Sequence, residues 1–373
     1  MGLIPQTGQR KDARRMTSRE RLLTAMSGGI PDRVPRDIAW GMTPMAYETF
    51  KANTGETDYM AYFKVDYRHV GMAPSKRKFD FTHYYEGRGL DLSKLRINDQ
   101  GVGYMSSEQT SWHYTHLFSP LAGRHDLNSI VDFPIHDLSE PHRYAHLGQA
   151  TEELHARGLG VAAPLATTLY ETAWQLRGLD EFLTDMYENP EIIDCLLERL
   201  TLLRIRAAEL HVGSGADVLM LGDDVATQKG MLMSPALWRR FFKPRMARII
   251  DAAKAVRPGI HVFYHSDGDP TEIIPELLEI GVNVLNPIQP ECMDPVAIKA
   301  KYGARAALWG GIGIQHTLPF GSAEDVRAEV RERMATLGKG GGYICGPTHV
   351  IAPEVPWANM KALYDAIDEY GAY

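Results

Sequence analysis

Residues 261–268 (His-Val-Phe-Tyr-His-Ser-Asp-Gly) run from four residues of strand character into a polar cluster. His265 and Asp267 are two residues apart, so on an extended chain they project to the same side. An imidazole nitrogen and a carboxylate oxygen placed in this way are ligand types for a divalent metal. A third donor, His349, follows the apolar stretch that begins at Gly342. The pattern predicts His265, Asp267 and His349 as metal ligands. Asp223 and Asp224 follow another apolar stretch and are adjacent carboxylates, which repel unless paired or solvated. With His265 they are the candidates for acid–base catalysis. Structural readings compete at every position. Asp267-Gly268-Asp269 suits a turn and a helix cap, one of Asp223 and Asp224 suits an N-cap, His265 suits a satisfied core histidine, and His349 suits a loop.

Placing these groups together requires a particular arrangement of elements. From residue 140 onward, strand and helix patterns alternate at a spacing that implies parallel neighbours joined by crossovers. With two earlier stretches, the predicted strands are 38–41, 67–72, 160–164, 217–221, 261–264, 282–285, 305–309 and 342–345. Eight such units predict an α/β fold, a single (β/α)8 barrel over residues 17–373. No Gly-x-Gly-x-x-Gly follows the first strand, which argues against a dinucleotide-binding sheet. The chemistry of such a barrel sits at the C-terminal ends of its strands. The side chains expected there as a substrate wall are Trp40, Asp66, Tyr170, Trp174, Asn286, Gln289 and Trp309. Thr17-x-x-Glu20 predicts a capping box on an N-terminal helix. Residues 76–135, rich in Tyr, His, Ser and Gly, are expected as an insertion with a hairpin of 101–105 against 112–117, serving as a lid or an oligomer contact. Cys345 and the Met231-Leu232-Met233 cluster are expected to be packing.

Bulk properties exclude several functions. A net charge of -7 gives no electrostatic footprint for nucleic acid. No run of about 18 apolar residues is present to span a membrane. Residues 1–16 carry Lys11, Arg14 and Arg15 and lack an apolar stretch, so a disordered arm is expected rather than a signal peptide. The three scattered cysteines, Cys195, Cys292 and Cys345, argue against a disulfide framework and for a reducing cytoplasm.

Several motifs, in order, resemble the uroporphyrinogen decarboxylase superfamily, which includes the methylcobamide:coenzyme M methyltransferases and related corrinoid-dependent methyltransferases. They are 17–23 (Thr-Ser-Arg-Glu-Arg-Leu-Leu) with 31–35 (Pro-Asp-Arg-Val-Pro), 222–224 (Gly-Asp-Asp) followed by Ser234-Pro235 and 241–244 (Phe-Phe-Lys-Pro), and 265–268 (His-Ser-Asp-Gly). Residues 284–290 (Val-Leu-Asn-Pro-Ile-Gln-Pro), 309–312 (Trp-Gly-Gly-Ile) and 341–344 (Gly-Gly-Tyr-Ile), with Pro353 and Asn359, complete the set. The resemblance implies a single (β/α)8 barrel and a homodimer. The decarboxylases hold their porphyrinogen carboxylates with an Arg-Gln-Ala-Gly-Arg run, whereas residues 37–43 here read Asp-Ile-Ala-Trp-Gly-Met-Thr, and their substrate-side tyrosine matches Trp174. Without those cations an octa-acidic tetrapyrrole is a poor ligand. The thiol-methylating members bind zinc through His-x-Cys and a later Cys. Here His265 matches the histidine, Asp267 the first cysteine and His349 the second.

The resemblance therefore implies a methyltransferase that uses a divalent metal, zinc in the first instance, and exchanges a methyl group with a corrinoid (cobalamin) carried by a partner protein. Hard ligands suit a donor other than a thiol, such as a methoxylated aromatic compound, with Trp40, Tyr104, Trp174 and Trp309 as ring walls. The alternative is a lyase or decarboxylase acting on a smaller acid, with Asp223, Asp224 and His265 as acid and base. A non-catalytic binding or assembly subunit is a third reading.

Overall fold

The computed structural model describes residues 15–105 and 116–373. Seven strands form one curled parallel sheet in chain order: β1 (Tyr67–His69), β2 (Gly160–Pro164), β3 (Val218–Gly222), β4 (His261–His265), β5 (Val284–Ile288), β6 (Ala307–Ile312) and β7 (Tyr343–Pro347). Helices Pro190–Gly213, Lys243–Val256, Pro295–Tyr302 and Ala323–Thr336 are among the crossovers, and Trp357–Tyr370 follows β7. Every residue of β3, β5, β6 and β7 is buried. Helices cover the outside and side chains fill the inside, so both faces are apolar. The fold is the barrel predicted from the strand rhythm.

The eighth place departs from expectation. Residues 38–41 are not a strand. They form a turn, with Ala39 at φ 47 and Gly41 N donating to Ile38 O at 2.9 Å. The wall is closed one step earlier, where Asp37 N donates to Cys345 O, Cys345 N to Pro35 O, and Asp66 N to Arg36 O. A longer ladder is prevented locally. Pro35 has no N–H to give, and the Asp37 carboxylate takes the Ile38 N–H at 2.7 Å. That carboxylate lies inside the barrel and also accepts from Tyr67 Oη and Trp309 Nε1, both at 2.7 Å. Burial raises its pKa, while these donors favour the ionised form. Trp309 is edge-on to Phe263 and Tyr67, at 5.2 and 5.3 Å between ring centroids. It is therefore a filler of the barrel interior.

The opposite face is a matter of stability. The helix Ser18–Met26 begins with the expected capping box, Thr17 with Glu20. From this helix Arg21 reaches Asp66 at 2.6 Å, and Arg33 reaches the same carboxylate at 2.9 Å. Asp66 precedes β1, at the N-terminal end of the strand, and is fully buried. It cannot belong to the substrate wall expected from sequence, because its oxygens are spent on two guanidinium groups and on the amide of Arg36.

The insertion lies between β1 and β2. Gly103–Met105 pairs antiparallel with Arg96–Ile97 and with His116–Phe118. The first arm of the expected hairpin is thus present, whereas 112–115 of its second arm, and residues 1–14 of the expected N-terminal arm, lie outside the described residues. Among the described residues no helix is long and apolar enough to cross a membrane.

Removing one partner of a buried ion pair strands the other charge. Asp66→Ala is therefore expected to lower the unfolding free energy by about 3–5 kcal/mol in urea titration. Ligand binding at the opposite rim should be unchanged in the folded fraction. A loss under about 1 kcal/mol would show that the two arginines find water instead.

Candidate active site

Register levels the site. His265 pairs with Gly222 on β3 and with Asn286 on β5, so the C-terminal ends of three adjacent strands meet at one height. Gly222 allows the close approach, because a Cβ there would stand 2.6 Å from His265 Cβ and from its carbonyl oxygen. After β4 the chain turns through Ser266, Asp267 and Gly268. Gly268 adopts φ 83, and a Cβ would meet Thr227 O at 2.4 Å, so only glycine fits this turn. Its N–H donates to Gln289 Oε1 at 3.2 Å. Gln289, expected to touch substrate, is buried and braces the turn that aims Asp267.

His265, Asp267 and His349 converge, with one donor atom from each within 4.8 Å of the others. His265 Nε2 lies 3.6 Å from Asp267 Oδ1 and 3.6 Å from Asp224 Oδ1. His349 Nε2 lies 3.8 Å from Asp267 Oδ2. On the far side of the ring, His265 Nδ1 meets Asn286 Oδ1 at 2.6 Å, and Asn286 Nδ2 is directed to Trp309 O at 3.5 Å. With the amide so placed, Asn286 Oδ1 can only accept, so the proton resides on His265 Nδ1. Asn286 thus fixes a tautomer rather than walling a substrate. The Nε2 lone pair then faces two carboxylate oxygens. An acceptor facing acceptors requires a cation between them, either a proton or a metal ion. Asp267 Oδ1 is buried and has no hydrogen-bond partner. Separations near 3.6 Å are long for hydrogen bonds but are those of ligands around an ion with bonds of about 2.0–2.2 Å. The residues fit a divalent metal.

These groups open onto a cavity of about 550 Å³ whose wall includes Trp40, Thr167, Glu171, Asp224, His265 and His349. Trp40 is edge-on to His265 at 5.1 Å and stacks on His69 at 6.2 Å. Among the described residues no lysine or arginine lines this cavity. The two adjacent aspartates have separate tasks. Asp224 faces the cavity and accepts from Asp267 N at 2.8 Å. Asp223 is buried and accepts from Leu169 N and Glu171 N at 3.0 and 3.1 Å, capping the helix Tyr170–Arg177. Burial pushes its pKa up to about 7, against the lowering effect of these amides. A carboxylate held by a helix N-terminus and closed to solvent does not exchange protons with a substrate, which corrects the catalytic role expected for Asp223.

Three expected aromatic walls are elsewhere. Tyr170 is fully buried and edge-on to Phe182 and Phe242, each at 5.7 Å. Trp174 is half-buried on the same helix and Tyr104 lies in the insertion's sheet, both outside the cavity wall.

Glu171, one residue after the tyrosine singled out from sequence, is the acid the sequence reading missed. Burial pushes its carboxyl up to about 9, with the charges of Asp224 and Asp223 adding to the shift. An acidic residue in the first turn of a helix carries the same sequence signal as ordinary dipole matching, so only its depth distinguishes it. In the metal-free protein Glu171 stays protonated when folded and ionises near 4.5 when unfolded, so its contribution lowers stability progressively as pH rises from about 5 to 9. Glu171→Gln is therefore expected to melt above wild type in chelator-treated samples, by a margin that widens over that range. A margin that stays flat or reverses would show an ionised Glu171.

The uroporphyrinogen decarboxylase (URO-D) family model matches residues 157–370. Among curated proteins, the methylcobamide:CoM methyltransferase MtaA of Methanosarcina barkeri is 28% identical over 200 residues, 54% of this chain and 56% of that protein. The uroporphyrinogen decarboxylase of Coxiella burnetii is 26% identical over 194 residues, covering 50% and 49%. The chain thus spans about half the length of the curated relatives it matches. A solved methyltransferase from Methanosarcina mazei superposes with a TM-score of 0.66 at 18% identity, over 95% of this chain and 99% of that one. The matched span contains β2 to β7 with His265, Asp267 and His349 at their rim, and on this evidence the chain belongs to the uroporphyrinogen decarboxylase (URO-D) family, with corrinoid-dependent methyltransferases among its relatives.

Proposed function

We propose that the protein is a metal-dependent methyltransferase that moves a methyl group between a small methylated compound, a methoxylated aromatic in the first instance, and a corrinoid carried by a partner protein. The observation that carries this reading is the His265–Asp267–His349 cluster at the edge of a cavity whose described wall holds no lysine or arginine. His265, Asp267 and His349 would hold the metal, with Asn286 fixing the imidazole from behind. A divalent ion there, zinc by the ligand types, supplies Lewis acidity to a departing oxygen.

The chain's own residues supply the rest. Trp40, with His69 stacked behind it, offers a flat apolar wall to an aromatic ring. Glu171, neutral to about pH 9, holds a proton at that wall, kept neutral by burial and then by repulsion from Asp224. In the reaction the methyl carbon's bond to oxygen breaks, the methyl group passes to the corrinoid co-substrate, and the phenoxide oxygen takes the Glu171 proton. Phenoxide has a conjugate acid near ~10, so an acid of similar pKa is matched to protonate it. The cavity disfavours the lyase reading, because among the described residues no lysine or arginine lines its wall to hold a substrate carboxylate.

The test is methyl transfer from a panel of methoxybenzenes to a reduced corrinoid protein, followed by the visible spectrum of the corrinoid. Wild type should convert at least one donor. Glu171→Gln should slow the step by about 10²–10⁴-fold while leaving donor binding intact. Equal rates in the two proteins would remove Glu171 as the acid. No transfer from any methoxy or methylamine donor, with turnover of a small carboxylic acid instead, would establish the lyase.

A further inference from the structure

A second cavity, which shares no wall residue with the first, lies between the insertion and helices Tyr170–Arg177 and Pro190–Gly213. Its volume is about 160 Å³. Much of its wall is aliphatic, from Met72, Ile135, Leu176 and Leu203 among others, but three buried basic side chains also face it: His136, Arg143 and Arg204. Each is more than nine-tenths buried. Arg204 donates only to neutral oxygens, Thr168 O and Thr167 O at 2.9 Å and Thr172 Oγ1 at 3.1 Å. Arg143 does the same, to Ala73 O at 2.8 Å and Asp137 O at 3.2 Å.

Among the described residues neither guanidinium forms an ion pair. Asp223 and Asp137, whose charges act on Arg204 and Arg143, are committed to helix amides and to Ser139 respectively. Asp99, the carboxylate on this cavity's wall, is exposed and paired with Lys78 at 3.3 Å. Both ring nitrogens of His136 are buried without a hydrogen-bond partner, and its ring lies 4.7 Å from that of Phe79. Buried charge without a counter-charge in contact is expensive, and so is an orphaned buried nitrogen. Two guanidinium groups and an unsatisfied imidazole around one apolar space constitute an anion receptor.

We propose that this cavity binds a small monocarboxylate with an apolar body, its carboxylate taken by Arg204, Arg143 and His136 and its body by the leucines. The size agrees, since an apolar cavity of about 150 Å³ takes one benzene. The site is separate from the His265 cavity, so it stands whether or not the methyltransferase reading does.

Benzoate is the probe, measured by isothermal titration and by thermal shift on the whole chain. Wild type should bind benzoate about tenfold or more tightly than benzyl alcohol, the neutral isostere, or inorganic phosphate, which lacks the apolar body. His136→Leu removes the unsatisfied donor and Leu203→Trp fills the space. Each, verified as folded by its melting transition, should weaken benzoate by about tenfold or more. His265→Ala should bind as wild type does. Absence of benzoate binding in wild type, binding unchanged in both His136→Leu and Leu203→Trp, or binding lost in His265→Ala would each overturn the proposal. Phosphate binding as tightly as benzoate would overturn the assigned ligand class.

Discussion

The register of three parallel strands governs this molecule's chemistry. Because Gly222, His265 and Asn286 are level, the residues that follow β3 and β4 rise into the same small volume, and Asn286 of β5 stands directly behind the imidazole. Shifting β4 by one residue would turn His265 from the barrel rim into the wall and replace it with Tyr264. Everything polar at the rim inherits its position from this register, including Asp224, the Ser266–Gly268 turn and the brace from Gln289.

What the register cannot supply is the sign of the charge between these side chains. His265 Nε2 and the carboxylates of Asp224 and Asp267 are all acceptors once Asn286 has fixed the tautomer. Burial pushes Asp267 up to about 6, with Asp224 adding to the shift and His265 opposing it. Such a cluster is unfavourable by itself and favourable around a cation, which is how a metal site differs from an ordinary polar rim.

Sequence made the strands legible, and the convergence of His265 and Asp267, because both follow local rules. Strand rhythm comes from burial on two faces, and His265 and Asp267 share a side through two-residue periodicity. Less legible were features that depend on distant partners. Residues 38–41 have apolar strand character but lose the ladder to the Asp37 side chain. Asp66 resembles a strand-end carboxylate until arginines 45 and 33 residues away in the chain are brought to it at the other end of the barrel. Asp223 and Asp224 are the same residue type side by side, and only the helix N-terminus over Asp223 separates a cap from a cavity group. Glu171 was hidden by the reverse confusion, since its position suits a helix start while its burial makes it an acid.

The central claim is that His265, Asp267 and His349 act together as one cation site. The direct measurement is zinc titration of chelator-treated wild type against His265→Ala, Asp267→Ala and His349→Ala, read as bound metal per chain after equilibrium dialysis. The account predicts about one tightly held ion per wild-type chain, with affinity falling by about 10²-fold or more in each variant, since each removes a ligand rather than its support. Wild type that binds no zinc or other divalent ion, or variants that bind it as wild type does, would contradict the account, because a proton alone would then satisfy the cluster.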